Sequence, residues 1–142
     1  MGRKTWDSIP PKFRPLKDRL NIVISRSVPP STTPETPSEP VRVSSLEQAL
    51  EYARENTNIS RVFIMGGAQI YKAAMELPAA KRVLLTSIDR EYECDVFFPK
   101  LDGWKHKSTE DLKAWTGEDG EKVDGVQEEA GTKYEFQMWE RE

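Results

Sequence analysis

Three β-branched, mainly apolar runs set the limits on what this chain can fold into: LNIVI (20–24), RVFIM (61–65) and RVLLTSI (82–88). Near-continuous rather than alternating apolarity marks a strand covered on both faces. Stretches of helical period separate the runs. SSLEQALEYARE (44–55) opens on a capping box, read either as Ser44-x-x-Glu47 or as Ser45-x-x-Gln48. Its Leu46, Ala49, Leu50 and Ala53 fall at the i, i+3, i+4, i+7 spacing of one helical face. AQIYKAAMEL (68–77) repeats the stripe with Ile70, Ala73, Ala74 and Leu77. A short helix at the start of the chain is stopped by IPP (9–11), since proline cannot continue the ladder. The order helix, strand, helix, strand, helix, strand predicts parallel crossovers and an α/β sheet. KYEFQMWE (133–140) places Tyr134, Phe136 and Met138 on one face and is expected to return antiparallel at a sheet edge. The Gly- and Asp-rich TGEDGEKVDG (116–125) predicts a turn or hairpin connection before it.

A length of 142 residues suits one domain, and 32% charged against 37% apolar residues allows a core, though a lean one. VPPSTTPETPSEP (28–40) is expected to be a solvated loop, because nothing in it can build a core. The net charge of −3 hides an asymmetry: residues 1–26 hold seven Lys/Arg and two acids, so the remainder is strongly acidic. A short basic segment on an acidic chain suits a local anionic ligand better than long nucleic acid; a solvated basic helix end is the plain alternative. Cys94 is the single cysteine, which rules out an intramolecular disulfide and a cysteine-based metal cluster. No apolar run is long enough to span a bilayer, and a reducing, cytoplasmic setting is the default expectation.

Four places carry candidate chemistry. In IMGGAQIY (64–71) an apolar run enters Gly66-Gly67 and a helix follows at once. Glycines let the backbone approach a ligand, and free N–H groups at the helix start favour a pyrophosphate. A tight turn would look the same, and the G-x-G-x-x-G fingerprint is absent. In MGRKTW (1–6), Arg3, Lys4 and Thr5 sit beside a glycine at another helix start. Ser25-Arg26 follows LNIVI, where an arginine can pair with a ribose 2′-phosphate or be an ordinary surface residue. Arg19, in PLKDRL (15–20), could grip a carboxylate through a bidentate fork or pair with Asp18. His106 lies among lysines with no nucleophile or metal partner, Trp104, Trp115 and Trp139 read as packing residues, and YECD (92–95) lacks metal-ligand spacing.

Taken together and in order, MGRKTWDSIPPKFRPLKDRLNIVISRS, IMGGAQIYKAAM, LLTSIDREYECDVFFP and VQEEAGTKYEFQMWER closely resemble dihydrofolate reductase of the eukaryotic type. The resemblance covers nearly the whole chain except the proline-rich loop and the region around 103–122. It implies a mixed, mainly parallel sheet flanked by helices with antiparallel C-terminal strands, and reduction of dihydrofolate to tetrahydrofolate with NADPH. It implies that Arg3, Lys4 and Thr5 hold cofactor phosphates, that Ser25 and Arg26 recognise the 2′-phosphate, and that Ile24 lies against the adenine. Gly66, Gly67, Ala68, Gln69 and Ile70 would line the pyrophosphate and nicotinamide side, with the Gly66–Gly67 peptide cis. Arg19 would bind the glutamate-tail carboxylate, while Ile9, Pro10 and Leu16 pack on the aminobenzoyl group. Met65 and Tyr71 would lie near pterin and nicotinamide, and Thr86 would hydrogen-bond the catalytic acid.

In that family the acid lies on a helix upstream of the motif matching residues 1–6, as do the first central strand and the loop over the nicotinamide. The expectation is therefore an N-terminally truncated single domain, 1–142, without its proton donor and with little or no turnover. Loss of a central strand would uncover apolar side chains and two strand edges, leaving the isolated chain marginal or unfolded. The full-length relative is expected to be monomeric, with dihydrofolate as its partner and no nucleic acid or membrane. Two other readings stay open at this point: a non-catalytic nucleotide-binding remnant, and a related reductase of a riboflavin-pathway pyrimidine. Arg19 within R-P-L-K-x-R argues against the latter.

Overall fold

The structure, a computed structural model, describes residues 1–27, 29–30, 36 and 38–142, so most of the proline-rich stretch 28–40 lies outside the described residues. The chain gathers into two compact units, Met1–Glu76 and Leu77–Glu142.

In the first unit, helix α1 (Arg3–Ser8) gives way at Ile9 and Pro10 to a single 3₁₀ turn, Pro11–Phe13. Strand β1 (Ile22–Ile24) pairs in parallel with β2 (Val41–Val43), in the register Ile22 to Val41 and Ile24 to Val43. Helix α2 (Leu46–Glu55) and helix α3 (Ala68–Met75) complete the unit. Both capping-box serines of α2 are used. The Ser45 hydroxyl accepts from the Gln48 N–H, while the Gln48 side-chain oxygen accepts from the backbone N–H and hydroxyl of Ser44. The buried face of α2, Leu46, Ala49 and Ala53, follows the expected stripe, and Val41, Val43 and Ala49 form a core cluster against Ile22, Ile24 and Tyr52. Val23 is fully buried.

The run at 61–65 corrects the expectation of a buried strand. Its backbone enters neither sheet, and Val62, Phe63 and Met65 are 52%, 56% and 40% exposed. Apolar composition supplies a face, but a strand exists only where a neighbour completes its ladder.

In the second unit, β3 (Arg82–Ile88), β4 (Lys105–His106), β5 (Val126–Glu129) and β6 (Thr132–Glu140) form a four-stranded antiparallel sheet, with helix α4 (Thr109–Thr116) packed on β6. β6 does not take the edge position that its sequence suggests. It is instead the shared partner of β3, β4 and β5. β3 joins it antiparallel, so the parallel pairing among described residues is confined to β1 with β2 and a bridge from Gly2 to Ile24. Val83, Trp104, Leu112 and Met138 are the buried apolar residues of this unit. Arg141 closes it: its guanidinium lies 4.6 Å from the Trp104 ring centre and donates to the carbonyls of Ala80 and Leu77. Leu84 and Ile88 of β3 remain 45% and 48% exposed.

Candidate functional site

Two helix starts in the first unit are fastened to one another. The Gly2 N–H donates to the Gly66 carbonyl at 2.8 Å, immediately before α1 on one side and two residues before α3 on the other. Neither Gly2 nor Gly67, the residues preceding the two helices, places a side chain on its helix's first N–H groups. Those donors therefore remain for an outside acceptor, and the helix fields favour a negative one. Arg3 and Lys4, both exposed, add cationic side chains at the same end of α1.

The two glycines of the pair do different work. Gly66 is buried with φ +97°, a region that L-residues rarely enter, and a Cβ there would meet the Tyr71 ring at 3.1–3.4 Å. Gly67 has an ordinary φ of −75°, and a Cβ there would find only the Thr5 hydroxyl, at 3.9 Å. The backbone is thus open on the Gly67 side, toward Thr5, and closed by Tyr71 beneath Gly66. The peptide between them is cis. Tyr71 itself is tied into α3 by its N–H, which donates to the Gly67 carbonyl at 2.9 Å.

Strand pairing brings the next group to the same place. The Met1 amino group donates to the Ile22 carbonyl and the Ile24 N–H donates to the Met1 carbonyl, so Met1–Gly2 runs alongside β1. Burial holds the Met1 amino group below its usual pKa. The last residue of β1, Ile24, consequently lies beside the start of α1, with Ser25 and Arg26 directly after it. Arg26 is exposed; Ser25 is buried, its N–H donating to the Val43 carbonyl and its hydroxyl 3.3 Å from that of Ser27. Gly2 and Ser27 were not singled out in the sequence. The G-R-K start contained the signal for Gly2, whereas Ser27 carries none beyond being a third polar residue after a strand.

Arg19 stands on a separate loop of the same unit. Arg14–Pro15 is cis, Asp18 has φ +58°, and the Arg19 Nε–H donates to the Lys17 carbonyl at 2.8 Å, with the side chain exposed. Upstream, Trp6 is buried under the Arg14 guanidinium, which lies 5.3 Å from the indole and 3.4 Å from the Trp6 carbonyl. Ile9 and Leu16 are half-buried and Pro10 is exposed. Of the remaining candidates, Ala68, Gln69 and Ile70 form the first turn of α3, Met65 is exposed just before the pair, and Thr86 lies exposed on β3 in the second unit, opposite Phe136. No group of His, Cys, Asp and Glu among the described residues could hold a metal ion, and no helix of theirs is long and apolar enough to cross a membrane.

A family model described as dihydrofolate reductase matches residues 1–141. The chain belongs to the dihydrofolate reductase family, a family of oxidoreductases. It is 42% identical to the dihydrofolate reductase of Pneumocystis carinii over 156 aligned positions, covering all of this chain and 72% of that protein. Against the Bos taurus enzyme the identity is 43%, covering 99% of this chain and 71% of the relative. The solved Schistosoma mansoni dihydrofolate reductase superposes with a TM-score of 0.72 at 34% identity, covering all of this chain and 73% of that one. The mixed sheets and flanking helices described above are accordingly those of the dihydrofolate reductase fold.

Proposed function

We propose that this chain carries the NADPH-binding and folate-tail-binding parts of a dihydrofolate reductase, an enzyme that reduces 7,8-dihydrofolate to tetrahydrofolate. The observation that carries the reading is the Gly2–Gly66 hydrogen bond, which sets two uncapped helix starts and the open side of Gly67 around one space. That cradle fits a pyrophosphate: its donors are backbone N–H groups with Thr5, its charges are Arg3 and Lys4, and a side chain at position 67 would intrude on it. Arg26 and Ser25, with Ser27 beside them, receive the ribose 2′-phosphate, and Ile24 lies against the adenine. Ala68, Gln69, Ile70 and Tyr71 line the nicotinamide side.

NADPH, when bound, supplies a hydride. The residues of this chain orient the two partners around that event. Arg19 holds the carboxylate of the substrate's tail through its guanidinium, Ile9, Pro10 and Leu16 pack on the aminobenzoyl ring, Met65 lies near the pterin, and Thr86 accepts or donates to the family's proton-donating acid. No residue among 1–142 is matched to that acid. General acid assistance contributes about 10²–10⁴ in rate, so turnover by these residues alone is expected to be low while cofactor binding persists.

Fluorescence titration of the purified chain with NADPH and with NADH tests the reading. Tight binding of NADPH, weaker binding of NADH, and loss of that preference in Arg26→Ala are expected. Equal affinity of the unaltered chain for both cofactors overturns the 2′-phosphate assignment. Appreciable oxidation of NADPH by dihydrofolate overturns the inactivity.

A further inference from the structure

Asn21 is one of two buried polar side chains among the described residues, at 6% exposure. Its Oδ1 accepts from the Leu16 N–H at 3.0 Å, and its Nδ2 donates to the Leu16 carbonyl at 2.9 Å and to the Arg19 carbonyl at 3.0 Å. Both amide hydrogens and one oxygen lone pair are thereby engaged, all within a single loop. The side-chain amide stands in for a neighbouring strand: it pairs with both backbone groups of Leu16 as a ladder residue would. Its own backbone is fixed on the other side, where the Val41 N–H donates to the Asn21 carbonyl at 2.9 Å, one residue before β1 and the fully buried Val23.

Arg19 inherits this anchorage. Its carbonyl is held by Asn21, and its Nε–H is taken by the Lys17 carbonyl inside the same loop. A carboxylate must therefore approach the two terminal nitrogens end-on, and the direction they face is set by the loop from Leu16 to Arg19. We propose that Asn21 is the positioning residue of the tail-carboxylate subsite: it staples the loop to the β1–β2 pair and so aims the Arg19 guanidinium. This rests on the reading of Arg19 given above.

The test compares two pteroyl ligands on the purified chain, one ending in glutamate and one in an uncharged benzamide. Arg19→Ala is expected to lower the preference for the glutamate ligand about tenfold, the usual scale for a charged hydrogen bond. Asn21→Ala is expected to lower the same preference to a similar extent and to add nothing to that loss in the Arg19→Ala background; an affinity change common to both ligands reports Leu16, which Asn21 also holds and which faces the ring they share. An Arg19→Ala chain with its preference intact overturns the Arg19 reading and the inference with it. If Arg19→Ala acts but Asn21→Ala leaves the preference intact, or still lowers it without Arg19, the inference alone falls. Amide hydrogen exchange supplies a measurement free of ligand. Asn21→Ala should lose protection at Leu16 and keep it at Val23 and Val41; loss at all three makes Asn21 a general core residue and refutes the positioning role.

Discussion

Replacing Gly66 and Gly67 separately by alanine should give opposite kinds of damage. At Gly66, an alanine must hold φ +97°, and its Cβ must displace two Tyr71 ring carbons at 3.1 Å and 3.3 Å and the phenol oxygen at 3.4 Å. The backbone conformation costs about 1–3 kcal/mol for an L-residue. Overpacking against a ring costs a further 1–3 kcal/mol or so, reduced if the ring swings aside. A destabilisation of about 3 kcal/mol is therefore expected, a large share of a typical domain's stability of about 5–15 kcal/mol. At Gly67, φ is −75° and the nearest obstacle is the Thr5 hydroxyl at 3.9 Å, so alanine should cost less than about 1 kcal/mol. It would, however, project a methyl group into the space assigned to the pyrophosphate. Urea unfolding followed by fluorescence, with NADPH titration of each variant, measures both quantities. Gly66→Ala should lose stability first and foremost; Gly67→Ala should melt nearly normally and fail to bind. Pairing Gly66→Ala with Tyr71→Leu should recover the steric part of the loss and leave the backbone part. If Gly66→Ala were as stable as the unaltered chain, or Gly67→Ala bound NADPH undiminished, the assignment of roles to the two glycines would be wrong.

Two further outcomes follow from local geometry. The two-residue loop between Glu129 and Thr132 has φ +50° at Ala130 and +78° at Gly131, the pattern that favours Asn-Gly, so Ala130→Asn should stabilise the β5–β6 hairpin by about 1 kcal/mol in thermal or urea unfolding. The buried Met1 amino group binds its proton less readily in the folded than in the unfolded chain. Between its lowered value and its ordinary value of about 8 the unfolded state holds more protons, so stability should rise with pH across that window and level off above it. Acetylating the amino group should remove that component of the slope, and an unchanged slope would show that the amine is not its source.

The elements that were legible in the sequence are those fixed by neighbours along the chain. Ser44, Ser45 and Gln48 announce the start of α2: the Ser45 hydroxyl accepts from the Gln48 N–H as the spacing suggests, while the Gln48 side chain reaches back to Ser44 rather than to Ser45. Helix α4 is not legible in the sequence, although Ser108 caps it by accepting from the Asp111 N–H; its charged surface resembles a solvated loop, and only Leu112 is buried. Strand β2 is three residues long, too short for any period to show. The unpaired state of residues 61–65 and the central place of β6 are not legible in the sequence for a common reason: which strand finds a partner depends on residues far away in sequence. The glycine pair was legible as a motif, but the difference between its two members was not. That difference lies in a single dihedral angle and the position of one tyrosine ring.

The arrangement of the second unit has a consequence during synthesis. β3, β4 and β5 each pair with β6 and none pairs with another, so every rung of that sheet needs residues 132–140. While a ribosome is still translating the segment before Thr132, the exposed apolar positions Leu84 and Ile88 have no sheet to belong to. Assembly of this half must wait for the delivery of one late strand and then proceed nearly all at once. A pause placed just ahead of Thr132 should prolong the nascent chain's dependence on chaperones far more than one placed after Glu140.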